Sequence, residues 1–260
     1  MYDSTGKTVV TRQDIVDGLR RIGIQAGDLV QVHSSLSAFG YVEGGADTVV
    51  DALLEVLGPE GTLMVPTFNH GSADIYDIKT TPSKNGAVTE AVRKRPEARR
   101  SMHPTHPYGA IGYLADQLVS GHLEAGTFSH ESPLGKLAIW GGYVLLLGAG
   151  MNSNTAAHLG EVMAKCHCLT PWGQMRRIID PWGRVVEVSS GFWRGGPCLI
   201  EWDALEGHMR ARGLIKDDRI GDAAIHLMRA ADVVGGAFHL AQMLCPTCPT
   251  RIKQPEPEGQ

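Results

Sequence analysis

The sequence predicts a layered α/β domain with a mainly parallel or mixed central sheet and a small antiparallel β insert in its C-terminal half. Three observations predict it. Helix-like and strand-like segments alternate from Thr11 to Pro66. The strand-like segments are mostly apolar, as strands covered on both faces are. From about Thr170 the texture changes to short strand-like runs around a Pro-Trp-Gly turn.

Taken in order, Thr11-Arg12-Gln13-Asp14 reads as a helix cap, and Ile15, Leu19 and Ile22 supply the apolar stripe behind it. Leu29 to Val32 is a short strand. Gly44 to Asp47 leads into a helix over Thr48–Leu57, and Gly58 to Gly61 forms a turn. Thr62 to Val65 is a second strand, stopped by Pro66. Residues 69–86 hold Asp74, Asp77 and Asn85 with few apolar repeats, which predicts a long functional loop. A helix is expected from Gly86 to Arg95, then a loop through Arg99–Pro107. Thr155 is placed to cap a helix that follows the apolar strand Tyr143–Leu147 and the Gly148-Ala149-Gly150 turn. Arg176–Ile179 and Arg184–Val188 flank Asp180-Pro181-Trp182-Gly183 as a hairpin. Helices are expected again at 203–212 and 223–244. Residues 1–253 read as one domain with its β-rich insert at about 170–200, and 254–260 as a disordered tail.

A chain of 260 residues, 43% hydrophobic and 20% charged, buries a sizeable core without staples. Its net charge of −4 and the lack of a basic block argue against nucleic acid and tolerate a cationic small substrate. No apolar run approaches the ~20 residues of a membrane helix. The polar stretch Met1–Lys7 lacks a signal core, so a cytoplasmic protein is expected, with no membrane partner. Free thiols are the expectation for its cysteines in such a compartment. The pairs Cys166/Cys168 and Cys245/Cys248 are far apart in sequence, and the first is tighter than most zinc pairs, so no metal site is expected.

Three constellations can carry chemistry. Val32 to Gly40 runs from a strand end through Ser34, Ser35 and Ser37, where small residues let backbone N–H groups approach an anion. From the spacing alone a plain strand-to-helix turn with capping serines is the favoured reading. Ser101-Met102-His103-Pro104-Thr105-His106-Pro107 is a stiff extended loop, whose histidines either face a ligand or pack. His158 and Glu161 share one helix face three residues apart. There a carboxylate can fix the imidazole tautomer and raise its basicity, although a lone helix histidine is more often structural.

Together these residues resemble the aminoglycoside 3-N-acetyltransferases. The matching elements are Val32–Leu36 with Gly40 and Gly44-Gly45-Ala46, Leu53-Leu54 through Leu63, Val65–Phe68, Arg100–Pro104 and Ser132–Leu137. Val144–Gly148, then Asn154-Thr155 with His158 and Glu161, and Ile220–Ala224 complete the set. The resemblance implies a three-layer α/β/α sandwich and acetyl-CoA-dependent transfer to the 3-amino group of the 2-deoxystreptamine ring, conferring antibiotic resistance. By position, His158 would be the general base and Glu161 its orienting partner. Ser34, Ser35, Leu36, Ser101 and His103 would line the coenzyme A site. Thr67 would stand at the thioester, its hydroxyl or N–H serving the oxyanion.

A polycationic acceptor also needs carboxylates, for which Asp74, Asp203 and Glu206 are the candidates, with Asp77 and Glu201 beside them. Arg176, Arg177, Arg184 and Arg194 would repel such an acceptor if they faced it. Three other readings stay open at this point. One is an N-acyltransferase for another small amine. Another is a metal-dependent hydrolase using His158, Glu161 and His103 or His106. The last is a non-catalytic coenzyme A binding module. A homodimer is compatible with any of them.

Overall fold

Thr11 starts the first helix by reciprocal capping. In the computed structural model, which describes residues 6–166, 169–171, 175–190, 192–194 and 201–247, the Thr11 hydroxyl accepts the Asp14 N–H at 3.2 Å. The Asp14 carboxylate in turn accepts the Thr11 N–H at 2.8 Å. The helix Arg12–Ile22 buries Ile15, Val16, Leu19 and Ile22 and ends on left-handed Gly23.

Seven strands form the main sheet, in the spatial order Lys216–Ile220, Ala223–Arg229, Tyr143–Leu147, Leu29–Ser34, Thr62–Pro66, Tyr108–Gly112, Arg99–Arg100. Pairing is parallel only at the centre, where Leu29–Ser34 lies between Tyr143–Leu147 and Thr62–Pro66. Every other junction is antiparallel, so the sheet is mixed rather than mainly parallel. The reason is plain at one edge: Gly221 and Asp222 alone join two strands, and so short a link allows only a hairpin.

Alternate strand residues enter two separate cores. Val30, Val32, Leu63, Val65, Leu145 and Leu147 pack with residues of helices Arg12–Ile22, Gly45–Leu57 and Ala87–Lys94. Leu29, Met64, Val144 and Leu146 pack with residues of Pro133–Ile139, Ala156–Met163, Trp202–Arg210 and Ala230–Leu244. Helices thus cover both faces of the sheet.

The structure corrects one expected element and adds two strands where none was expected. The expected helix over 223–244 divides into the strand Ala223–Arg229 and the helix Ala230–Leu244, because Ala223, Ile225 and Leu227 alternate into the core while Ala224 and His226 do not. Tyr108–Gly112 is a strand within the main sheet. Lys216–Ile220 is a strand despite its charges, which suit its place at the sheet edge.

The expected hairpin forms between Met175–Ile179 and Val185–Ser189, and a third strand, Ile75–Tyr76 of the long loop, joins it. The tail 254–260 and Cys168 and Cys248 lie outside the described residues. Among the described residues no helix is long and apolar enough to cross a membrane.

Candidate active site

The strand Tyr143–Leu147 is buried along most of its length and delivers the chain to Gly148. That glycine has φ 66°, and a Cβ there would stand 2.6 Å from the Ala38 side chain. Only glycine therefore lets the chain turn here toward the helix Ala156–Met163. Thr155, expected as the cap, makes no capping bond. Asn154 does that work, its Oδ1 accepting the Ala156 N–H at 3.3 Å. The Thr155 hydroxyl instead meets Gln31 Nε2 at 3.0 Å, the Tyr108 hydroxyl at 3.3 Å and His33 Nε2 at 3.4 Å.

One turn further on, His158 Nδ1 lies 2.8 Å from Glu161 Oε2. Glu161 is buried at 2% exposure, whereas His158 keeps 23%. A carboxylate only accepts, so Nδ1 carries the proton in the neutral ring and the Nε2 lone pair is left open. The Phe128 and Trp202 rings flank the imidazole, each with its centroid 5.6 Å away.

Beside Thr155 lies a cavity of about 230 Å³ lined by His33, Ser34, Phe68, His70, Asn152 and Ser153, among others. Ser34 ends its strand there. Ser35 precedes the short 3₁₀ turn Leu36–Phe39 and places its hydroxyl 3.4 Å from that of Ser37. Leu36 packs against the core. Burial pushes the His33 imidazole down to about 3, and the nearby His158 adds to the shift.

Thr67, Ser101 and His103 do not open onto this cavity. Thr67 is fully buried. Its hydroxyl and its N–H both donate to the Pro107 carbonyl, at 3.0 and 2.9 Å, so neither is available to an oxyanion. Ser101 is buried, its hydroxyl accepting the Tyr108 N–H at 2.9 Å and meeting His122 Nδ1 at 2.8 Å. His103 is also buried: Nδ1 accepts the His106 N–H at 3.1 Å and Nε2 meets the Thr127 hydroxyl at 2.9 Å. Both residues brace the loop, every polar atom they offer being hydrogen-bonded inside the protein. Arg100 completes the brace, reaching the Thr67 hydroxyl at 3.0 Å and the Thr67 and Thr81 carbonyls at 2.7 and 2.5 Å. Burial holds the His103 imidazole well below its ordinary value and pushes His106 and His122 down to about 4 and about 3.

Of the candidate acceptor carboxylates, Asp74 is ion-paired with Arg177 and Glu206 with Arg210 at 2.8 Å. Asp203 is exposed in the first turn of Trp202–Arg210, next to the tryptophan that touches His158. The cations that threatened repulsion are largely engaged: Arg177 by Asp74, Arg184 by Asp180 at 2.7 Å, and Arg176 by the Gly71 carbonyl. The Arg194 side chain lies outside the described residues. Among the described residues no group of three or more His, Cys, Asp or Glu is arranged to hold a metal.

Sequence reasoning passed over His33, His70, Phe128 and Trp202 as site residues. His70 offered in sequence only its place before Gly71; its φ of 52°, a conformation non-glycine residues rarely take, shows in the structure alone. Phe128 and Trp202 had none, because their elements reach His158 only through tertiary packing.

Residues 31–242 match the family model described as aminoglycoside 3-N-acetyltransferase. The chain is 33% identical over 265 residues to aminoglycoside N(3)-acetyltransferase VIII of Streptomyces fradiae, an alignment covering 86% of this chain and 89% of that one. Among solved structures, that of aminoglycoside acetyltransferase AAC(3)-Xa matches with a TM-score of 0.80 at 30% identity, covering 91% of this chain and 94% of its own. A histidine-to-alanine mutant of AAC(3)-IVa, in complex with a gentamicin, matches with a TM-score of 0.79 at 28% identity, covering 95% of this chain and 92% of its own.

Proposed function

The chain belongs to the aminoglycoside 3-N-acetyltransferase family, and from that membership we propose that it acetylates the 3-amino group of the 2-deoxystreptamine ring of aminoglycosides. Acetyl-CoA is the donor, the reaction takes place in the cytoplasm, and its consequence is antibiotic resistance. The observation that carries this reading is the 2.8 Å contact between His158 and the buried Glu161 carboxylate, in a ring whose Nε2 makes no hydrogen bond with the described residues.

The chemistry runs through one ternary complex. His158 Nε2 takes a proton from the acceptor nitrogen as that nitrogen attacks the thioester carbonyl. Such a base contributes about 10²- to 10⁴-fold. Glu161 holds the ring and stabilises the imidazolium that forms. The tetrahedral intermediate then expels the coenzyme A thiolate, and the imidazolium returns its proton to that sulfur. Proton and charge balance without a covalent enzyme intermediate. The cavity beside Ser34 and Thr155, at about 230 Å³, falls below the ~300–1,000 Å³ of a pocket for a drug-sized ligand. It suits the acylated end of the coenzyme rather than its nucleotide, with Ser34 in its lining and Ser35 next in the chain.

Thiol release from acetyl-CoA, measured with gentamicin-like and kanamycin-like acceptors and with product regiochemistry read by NMR, tests the reading. Acetylation at the 3-amino group supports it. Thiol release only with an unrelated small amine overturns the substrate assignment.

A further inference from the structure

We propose that His33 is a second catalytic histidine of this site, donating a hydrogen bond from Nδ1 to the thioester oxygen as that oxygen becomes an oxyanion. The inference rests on the acetyl-transfer reading above and deepens it.

A donor of this kind is needed, because Thr67 spends both its hydroxyl and its N–H on Pro107. His33 is in place for the duty. It lies near the end of the strand Leu29–Ser34 and lines the cavity with Ser34 and Thr155. Its own strand neighbour Gln31 also reaches Thr155, which stands one turn before His158 on the same helix face. Donor site and base therefore lie about one helical turn apart, near enough for His158 to add to the downward shift of the His33 pKa.

The hydrogen-bond network around Thr155 sets the tautomer. Gln31 Nε2 donates to the Thr155 hydroxyl at 3.0 Å. The Tyr108 hydroxyl is buried, and among the described residues its one hydrogen-bond partner is Thr155 at 3.3 Å, so its proton goes there. Thr155 then has one hydrogen left to give and His33 Nε2 at 3.4 Å to receive it. An Nε2 that accepts leaves the proton of a neutral ring on Nδ1. That atom makes no hydrogen bond among the described residues, in a side chain that lines the cavity. Burial presses the His33 pKa down to about 3, so the ring stays neutral at working pH. A neutral imidazole can polarise a carbonyl without first losing a proton to the developing oxyanion. His33 is thus an electrophile in the neighbourhood of a base, and the two histidines divide the labour.

The test compares His33→Ala with His33→Asn, whose amide nitrogen stands near the place of Nδ1. With one oxyanion donor removed, kcat of His33→Ala should fall by about 10²- to 10³-fold, while both KM values stay within about threefold. His33→Asn should recover at least tenfold over alanine. Nitrogen-15 NMR of the wild-type protein should find the His33 proton on Nδ1, a readout that does not depend on either variant folding. Equal impairment of the two variants, an alanine variant within threefold of wild type, or a proton on Nε2 overturns the role of His33. A wild-type protein that releases no thiol from acetyl-CoA with any aminoglycoside overturns the parent reading instead, and the NMR result still stands apart from it.

Discussion

His158 and His103 sit in two motifs that look alike on paper, yet the structure gives them opposite lives. His158 stands on a helix face, a quarter exposed, with a buried carboxylate on one nitrogen and the other left open. His103 is sealed in the 99–107 loop, with backbone N–H groups on one nitrogen and a hydroxyl on the other. A carboxylate partner makes an imidazole a better base and stabilises its cation. Burial does the reverse, and with the neighbouring His122 and His106 it holds the His103 pKa well below its ordinary value. The kind of partner, more than the presence of histidine, separates a reactive site from a brace.

Replacing each histidine with alanine should separate the two regions in opposite directions. His158→Ala is expected to lower kcat by about 10³-fold, with acetyl-CoA binding and Tm close to wild type. Near-normal turnover would remove the base assignment. His103→Ala strands the His106 N–H, leaves the Thr127 hydroxyl only the Ser190 carbonyl at 3.3 Å, and opens a cavity, at a cost of roughly 3 kcal/mol. Urea unfolding should show that loss, while kcat per folded molecule changes much less than in His158→Ala. If both variants lose activity alike at full stability, the comparison fails.

Acidification sharpens the same contrast. The folded protein holds His33, His103, His106 and His122 below their ordinary pKa, mainly through burial. In the unfolded chain each titrates near 6.5. Above that pH both states are neutral and these groups contribute no pH dependence. Below it the unfolded chain binds protons that the folded chain refuses, so stability falls as the pH falls. The slope is about 1.4 kcal/mol per pH unit per histidine until the folded pKa is reached. That window runs down to about 4 for His106 and about 3 for His33 and His122. In urea titrations between pH 7.5 and 5, His122→Gln should reduce the slope by one proton. An unchanged slope would show that His122 is not held neutral by the fold.

Much of this architecture was legible in the residues, and the gaps have physical causes. The first helix was readable because Thr11 and Asp14 announce its cap locally, and Thr62–Pro66 because its apolar run is bounded by glycine and proline. The strand Lys216–Ile220 was not, since an edge strand can bear charges that look like a solvated loop. The pair His158 and Glu161 was readable because helical spacing alone puts them on one face. Trp202 and Phe128 reach His158 across the fold, and no local pattern encodes that. The inward bonding of Thr67, Ser101 and His103 was not readable, because sequence shows a polar side chain but not where its hydrogen bonds go. In this loop they go inward.

The smallest effect concerns the acceptor side. Three carboxylates were candidates for a cationic substrate, and the structure ranks them by what already neutralises them. Asp74 pairs with Arg177 and Glu206 with Arg210. Asp203 has no such partner among the described residues and follows directly on Trp202, which lies against His158. Exposed charge pairs are individually weak and screened by salt. Asp203→Asn should therefore raise KM for the aminoglycoside by only about threefold, leave KM for acetyl-CoA unchanged, and flatten the salt dependence of the former. Asp74→Asn and Glu206→Gln should stay within twofold of wild type, because each carboxylate is held by its own arginine. An equal rise in all three variants would mean that those arginines release their partners when the acceptor binds, and that the acceptor side is rebuilt around the substrate instead of standing ready for it.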